Sequence, residues 1–235
     1  VESAIPPATS VFGMPNQAYE VTTRTRAASA SALIRNTYLL LSMTLLFSAA
    51  TAAFAMALDL RGPGLLLTLV GYFGLLFAVH KLRSSAWGIL AVFALTGFMG
   101  FTLGPIINMY LTAFGNGHQL VMTALGGSGA IFLGLSAYAL TSRRDFSFMG
   151  GFLFAGVMVA FLAGLAAVFL QMPALSLAVS GMFVLLMSAS ILYQTSALVH
   201  GGETNYLLAT VSLYVSLYNL FLSLLQLLGF ASGDD

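Results

Sequence analysis

Seven long apolar runs separated by short polar stretches fill the sequence from residue 37 onward, and none of them contains Asp, Glu, Lys, Arg or His. A run of about 20 apolar residues is long enough to cross a lipid bilayer as a helix. Barrel strands would show alternating polarity, which these runs lack. The sequence therefore predicts an all-α membrane protein with a seven-transmembrane-helix bundle. The predicted spans are 37–58, 64–79, 86–110, 119–140, 148–170, 174–199 and 205–230.

Composition excludes several other classes of protein. Charged residues make up 6% of the chain, against about 25% in soluble domains. The chain contains no cysteine, which excludes disulfides, thiolate metal sites and cysteine nucleophiles. Its formal net charge of +1 provides no basic surface for nucleic acid. We therefore expect the lipid bilayer as the surroundings of the protein, with no nucleic-acid partner and no cofactor.

The residues outside the runs indicate how the chain is oriented in the membrane. Residues 1–36 are rich in Ala, Ser and Thr without helical or strand periodicity, which predicts a flexible tail. With seven spans, seven of the eight Lys and Arg residues lie on the side of this tail. The positive-inside rule makes that side cytoplasmic. We predict a cytoplasmic tail at 1–36, a transmembrane domain at 37–230 and a periplasmic tail at 231–235.

Uncharged polar side chains recur along the last predicted span. Ser212, Ser216, Asn219 and Ser223 follow one another at spacings of four, three and four residues, so they share one face of a helix. This spacing predicts a polar stripe that points into the bundle. Hydrogen bonding between helices explains such a stripe, and a lining for a pore or a ligand is the alternative.

Glycines are concentrated in the fourth and fifth predicted spans. Small residues let helix backbones approach one another in lipid and gain van der Waals contact. We therefore predict that these glycines form close helix contacts. They are Gly126, Gly127, Gly129, Gly134, Gly150, Gly151, Gly156 and Gly164.

Residues 126–129, Gly-Gly-Ser-Gly, fit the short pattern of intramembrane serine proteases. Such a serine needs an activating base at the same depth in the membrane. His80, His118 and His200 all fall in or beside predicted loops, and His118 lies on the opposite side from the other two. This separation disfavours both a nucleophile–base pair and a metal site of three histidines. We therefore expect that the protein is not an enzyme, with no catalytic or metal-binding residues.

The loop between the last two predicted spans contains His200, Gly201, Gly202 and Glu203. The glycines permit a tight turn, and Thr204 is the predicted cap of the seventh helix. Glu203 near the positive end of that helix is electrostatically favourable. Turn structure alone accounts for these residues, and a cytoplasmic contact surface is the alternative.

Residues 97–106 have the sequence GFMGFTLGPI, which contains Gly100, Gly104 and Pro105. This stretch resembles the signature of the Bax inhibitor-1 family of seven-helix membrane proteins, with these three residues at characteristic positions. Residues 200–206, HGGETNY, look closer still to the bacterial branch of the family. The other similar stretches are 35–38, 67–71, 209–219 and 228–232.

The resemblance implies a regulatory protein of the bacterial inner membrane. Such a protein binds and modulates FtsH, the membrane-anchored ATP-dependent zinc protease, inhibits it and is itself degraded by it. The membrane regulators HflK and HflC are the further partners that the resemblance suggests. A tail of 36 residues can extend on the order of 100 Å, so the protease could reach its end and pull. We expect competition, in which the tail engages the protease while the bundle resists extraction.

One departure from the family bears on an alternative function. Other members are proposed to leak calcium through a pore controlled by two acidic residues on the last two helices. The resemblance places those positions at Gln194 and Ser216. Two nearby carboxylates titrate as a coupled pair, which an amide and a hydroxyl cannot do. We therefore expect little pH-gated calcium flux, and an ion leak with an altered, non-acidic gate is the alternative function.

Overall fold

The computed structural model describes residues 14–142 and 144–233, with side chains from residue 30 onward. These residues form α-helices, one short 3-10 turn at Ser147–Met149 and connecting turns, without any strand. All seven helices contain a stretch long and apolar enough to cross a membrane. The predicted all-α, seven-helix membrane fold is therefore confirmed. The helices are α1 (Met14–Ala57), α2 (Leu65–Leu82), α3 (Trp87–Ala113), α4 (Gly117–Thr141), α5 (Gly150–Phe169), α6 (Pro173–His200) and α7 (Tyr206–Ser232).

Only the first helix departs from its predicted span by more than a few residues. α1 begins at Met14, so the absence of regular structure that we predicted for residues 1–36 is wrong from Met14 onward. Alanine has a high helix propensity, and extending an existing helix is easier than nucleating one. The apolar stretch of α1 that could cross a membrane lies within Ala30–Ala57. Residues 1–13 lie outside the described residues, and the membrane side of each tail stays a prediction.

Two helices form the centre of the bundle and one lies at its edge. In α7 56% of the apolar stretch is buried and in α3 50%, against 6% in α2. α3 and α7 touch each other, and each also packs against α1, α2 and α4, while α6 packs along α7. Among the described helices, only α3 and α7 have Cα atoms within 8 Å of α2. The core is therefore organised around α3 and α7, and α2 has bilayer around most of its surface.

The predicted signature glycines lie where α3 crosses α1. A Cβ at Gly100 would collide with the carbonyl oxygen of Ser48, and one at Gly104 would lie 2.7 Å from the carbonyl oxygen of Ala52. The two helix backbones are therefore in direct contact, as small residues permit in lipid. α3 continues through Pro105, although this residue supplies no N–H to the helix.

The prediction of close contacts at the α4 and α5 glycines is wrong for half of them. A Cβ at Gly126, Gly129, Gly134 or Gly151 would meet no described atom within 4 Å. Three of these four are exposed, because the α4 and α5 faces that carry them turn away from the neighbouring helices. Gly156 does make a close contact, since a Cβ there would lie 2.7 Å from Leu186 Cδ2.

Candidate functional site

Gln194 and Ser216, at which the sequence resemblance predicts the positions of an acidic pair, lie in contact. The side-chain amide of Gln194 on α6 donates a hydrogen bond of 3.0 Å to the hydroxyl of Ser216 on α7. The same hydroxyl lies 3.4 Å from Gln194 Oε1, and Ser216 is only 3% exposed. Both groups stay neutral over the physiological pH range, so the bridge contains no group that titrates there. An uncharged pair is also far less costly to bury than carboxylates.

The polar stripe predicted on α7 is only partly internal. Ser216 and Ser223 are buried, whereas Ser212 and Asn219 are half-buried. The amide of Asn219 donates to the carbonyl oxygen of Val215 in its own helix at 2.8 Å. Within this stripe, Ser216 is the residue whose described hydrogen bonds reach another helix. A role for the stripe in a pore or a ligand site stays a prediction.

A second polar bridge joins α6 and α7 towards the other end of the two helices. The hydroxyl of Ser180 donates to Gln226 Oε1 at 2.7 Å. The amide of Gln226 donates to the hydroxyl of Ser176 at 2.5 Å. Together with the Gln194–Ser216 bridge, these bonds fix the register of α6 against α7 at two depths.

Two tyrosines of α7 escaped the sequence reasoning, Tyr214, which is buried, and Tyr218, which is half-buried. The hydroxyl of Tyr214 shares a hydrogen bond of 2.6 Å with that of Ser48 on α1 and donates to the carbonyl of Thr96 on α3 at 3.3 Å. Tyr218, one turn later, shares a hydrogen bond of 3.2 Å with Thr102 on α3. A buried tyrosine needs a partner for its hydroxyl. The spacing of four residues between two tyrosines in an apolar run was the signal that could have identified them.

The serine of the protease-like pattern is bonded within its own helix. Ser128 Oγ donates to the carbonyl oxygen of Leu125 at 3.0 Å. His80 lies in the last turn of α2, His200 ends α6, and His118 lies in the first turn of α4. In the described part of the chain, no group of three or more His, Cys, Asp or Glu residues could hold a metal ion.

The loop predicted as a contact surface is a tight turn held by its own hydrogen bonds. Gly201 caps the C-terminus of α6 with a φ of 79°, a left-handed conformation that glycine adopts without strain. Glu203 Oε1 accepts hydrogen bonds from the backbone N–H groups of Thr204 and Asn205, both at 2.8 Å. Asn205, not Thr204 as predicted, caps α7, because its Oδ1 accepts from the second and third N–H groups of that helix.

Neighbouring loops are bonded to this turn. The amide of Asn205 donates to the carbonyl oxygen of Arg83, between α2 and α3, at 2.9 Å. The backbone N–H of Phe146, between α4 and α5, donates to Ser196 Oγ at 3.1 Å. His200 Nδ1 lies 3.0 Å from the carbonyl oxygen of Ser196. The three connections therefore form one continuous surface at this end of the bundle, which we call the loop face.

A carboxylate on the loop face has a shifted pKa. Asp145 accepts hydrogen bonds from the hydroxyl of Ser147 at 2.5 Å and from its backbone N–H at 2.9 Å. These bonds, together with the nearby His200, hold the pKa of Asp145 below its usual value. The carboxylate is therefore ionised at neutral pH, where it fixes the turn that leads into α5.

A groove of about 610 Å³ opens on the loop face, between α1 and the turn that joins α6 to α7. Ala30 and Leu33 line it from α1, and His200 and Glu203 line it from the turn. The groove thus combines an apolar wall with polar and charged groups. Among the described residues of this face, exposed cations include Lys81 in the last turn of α2, Arg83 and Arg144.

The seven-helix bundle, with its signature glycines and paired polar residues, belongs to a recognisable class of membrane protein. Comparison with known families identifies that class. The family model described as inhibitor of apoptosis-promoting Bax1 matches residues 30–233. The chain therefore belongs to the Bax inhibitor-1 family and is a multi-pass membrane protein.

Individual relatives place the chain within the bacterial branch, as the sequence motifs predicted. The chain is 54% identical over 211 residues to the modulator of FtsH protease YccA of Escherichia coli strain K12, covering 90% of this chain and 95% of that protein. It is 53% identical over 205 residues to an uncharacterized protein of Pseudomonas aeruginosa, covering 87% and 92%. The Golgi anti-apoptotic protein of vaccinia virus is 33% identical over 210 residues, 84% of each chain.

Proposed function

We propose that the protein is an inner-membrane regulator that binds and modulates the ATP-dependent protease FtsH, inhibits it and is also its substrate. The observation that carries this proposal is the 54% identity, over 90% of this chain, to a relative named as a modulator of that protease. The name of a second relative, from another Escherichia coli strain, describes it as an inner membrane protein. HflK and HflC are proposed as further partners on the family resemblance alone.

The loop face is the surface that we propose meets the protease. Its exposed Lys81, Arg83 and Arg144 favour a cytoplasmic location, which puts the N-terminus in the cytoplasm and the C-terminus in the periplasm. Residues 14–29 continue α1 beyond its apolar part and rise about 24 Å at about 1.5 Å per residue. The contact would thus involve the loop at His200–Glu203 together with this helical extension.

Resistance to extraction is the proposed basis of inhibition. A protease that pulls on the N-terminal tail would load α1 before any other helix. α1 is held to α3 by the backbone contacts at Gly100 and Gly104, and to α7 by the Ser48–Tyr214 hydrogen bond. A protease engaged on a helix that leaves the bundle slowly is occupied and turns over other membrane substrates more slowly. The protein would therefore regulate through competition, without catalysis of its own.

Co-purification from native membranes tests the proposal. Wild-type protein should bring down FtsH, and Ala30→Trp, which fills the groove on the loop face, should bring down less. Gly115→Trp is the matched control, because its position between α3 and α4 lies at the opposite end of the bundle and a Cβ there meets nothing within 4 Å. Failure of the wild-type protein to retain FtsH would refute the function. Equal retention of FtsH by both variants would show that the groove is not part of the contact with the protease.

A further inference from the structure

A cavity of about 390 Å³ lies in the middle of the bundle, at residues near the midpoints of α3, α5, α6 and α7 and in the first half of α2. Its size falls within the range of about 300–1,000 Å³ that small-molecule sites occupy. Its walls consist mainly of aromatic rings, methionine thioethers and aliphatic side chains. Representative lining residues are Phe73, Met99, Val157, Phe161, Met187 and Tyr218.

The cavity lies beside a gap in the helix wall between α2 and α5. These two helices have no Cα atoms within 8 Å of one another. The rings of Phe73 and Phe161 make an edge-to-face contact between the two helices, with their centroids 6.0 Å apart. Phe73 is 50% exposed and Met158, which also lines the cavity, is 44% exposed. At this depth the surroundings are lipid hydrocarbon, so the gap leads from the cavity into the bilayer.

Three of the five side chains with a hydroxyl or amide group in the cavity wall are hydrogen-bonded within the protein, and the other two, Thr68 and Tyr72, are uncharged. Tyr218 and Thr102 share a hydrogen bond of 3.2 Å, and the amide of Asn219 donates to the carbonyl of Val215 at 2.8 Å. Among the described residues, Ser136 Oγ is the only buried side-chain polar atom without a partner, and Ser136 does not line the cavity. The wall also contains no Asp, Glu, Lys, Arg or His. The chemistry of the wall therefore suits a hydrocarbon and offers no counter-ion to a charged group.

We propose that this cavity is a binding site for one hydrocarbon chain of a membrane lipid, which enters between α2 and α5 past Phe73 and Phe161. The volume suits a single chain with its headgroup left outside. Methionine side chains adapt their shape to such a ligand, and Met99, Met158 and Met187 line the site. The bound chain packs against α2, whose only buried residue is Val79, so it supplies contacts that the protein itself lacks.

Photolabelling in vesicles tests this site. The full-length protein is reconstituted into phosphatidylcholine that carries a diazirine halfway along one acyl chain, then irradiated and mapped by peptide mass spectrometry. The expected label falls on Met99, which is 6% exposed and which a lipid reaches only from within the cavity. Label confined to outward-facing residues such as Val159, which is 62% exposed, would overturn the proposal.

Two substitutions two residues apart on α5 provide a matched control. Val157→Trp fills the cavity and should abolish labelling of Met99, whereas Val159→Trp faces lipid and should preserve it. Equal labelling of Met99 in these two variants would overturn the proposal. Phe161→Ala widens the gap without filling the cavity, so labelling of Met99 should increase, which also tests the site if Val157→Trp does not fold. Unchanged or lower labelling in a folded Phe161→Ala protein would contradict entry at this point.

Discussion

The α1–α3 contact and the α2–α5 gap are two boundaries of the same bundle with opposite character. At the first, Gly100 and Gly104 bring two backbones together, and no side chain fits between them. At the second, two apolar helices have no Cα atoms within 8 Å of one another, and the rings of Phe73 and Phe161 make an edge-to-face contact between them. Since lipid tails are as apolar as the side chains, hydrophobicity does not decide which helices associate in a membrane. Shape and a few hydrogen bonds decide it instead.

The largest expected effect comes from breaking the tight boundary. Gly100→Leu would place side-chain atoms where the backbone of Ser48 and the hydroxyl of Thr51 lie. Overpacking costs about 1–3 kcal/mol or more, and a collision with backbone lies at the upper end of that range. We expect a large fall in thermal stability in detergent micelles and faster degradation by FtsH.

A glycine on an open helix face is the control for that substitution. Gly126→Leu on α4 introduces the same side chain where a Cβ meets no described atom within 4 Å, and leucine favours helix over glycine. Its thermal stability should equal or exceed that of the wild type. Similar losses in Gly100→Leu and Gly126→Leu would show that the α1–α3 contact is not exceptional.

The next largest effect concerns the bridge between α6 and α7. These helices are joined by side-chain hydrogen bonds, so their contact is intermediate in closeness between the α1–α3 contact and the α2–α5 gap. Replacing Gln194 by Glu and Ser216 by Asp places two carboxylates where the neutral bridge now lies. Burial and mutual repulsion both disfavour the charged forms of these carboxylates, so at least one of them should keep its proton to a higher pH in the folded state. The folded state then binds more protons than the unfolded state, so stability should fall as pH rises through the unfolded-state pKa towards neutrality.

Thermal unfolding between pH 4 and pH 8, a range that spans the ordinary carboxylate pKa of about 4, measures this effect. The wild-type protein and the neutral variant Ser216→Ala provide the baseline for the double variant. Calcium flux in vesicles, measured in parallel, tests the ion-leak alternative. Pronounced pH-gated flux in the wild-type protein would contradict the expectation from its uncharged pair.

A smaller effect is expected from one hydrogen bond of the tight boundary. Tyr214→Phe removes the hydroxyl that joins Ser48 on α1 to the carbonyl of Thr96 on α3. Hydrogen bonds between membrane helices contribute about 0.6 kcal/mol on average and up to about 1.7 kcal/mol. The loss in unfolding free energy should lie in that range. Tyr138→Phe, at an exposed position of α4, should change nothing measurable.

The smallest effect lies outside the membrane, on the loop face. The pKa of Asp145 is held low by hydrogen bonds from Ser147, so these bonds contribute stability above the unfolded-state pKa and lose it as pH falls through the folded-state pKa. Because the carboxylate is fully exposed, the contribution is small. A carboxylate titration by NMR should give a midpoint below that of an ordinary aspartate. Ser147→Ala should move the midpoint upward, and an unchanged midpoint would contradict the assignment.

Much of the fold and part of the candidate site could be predicted from the sequence. The apolar runs predicted the bounds of each helix from α2 to α7 to within three residues. In lipid hydrocarbon each apolar segment must form its own backbone hydrogen bonds, which makes it a helix along its whole length. The family resemblance singled out Gln194 and Ser216 as the positions where an acidic pair is replaced. Only the structure revealed the bond between these two residues, the capping of α7 by Asn205 and the helical start of α1. Each of these features depends on neighbouring residues that local sequence patterns do not specify.

The sequence by itself therefore determined the membrane environment, the number of spans and the family, since these follow from the lengths of its apolar runs and from contiguous motifs. Only the tertiary structure decided which glycines touch another backbone. Gly100 and Gly126 lie in equally apolar helices, yet the first meets α1 and the second meets lipid. The rotation of each helix about its axis makes that difference, and it results from the packing of all seven helices together.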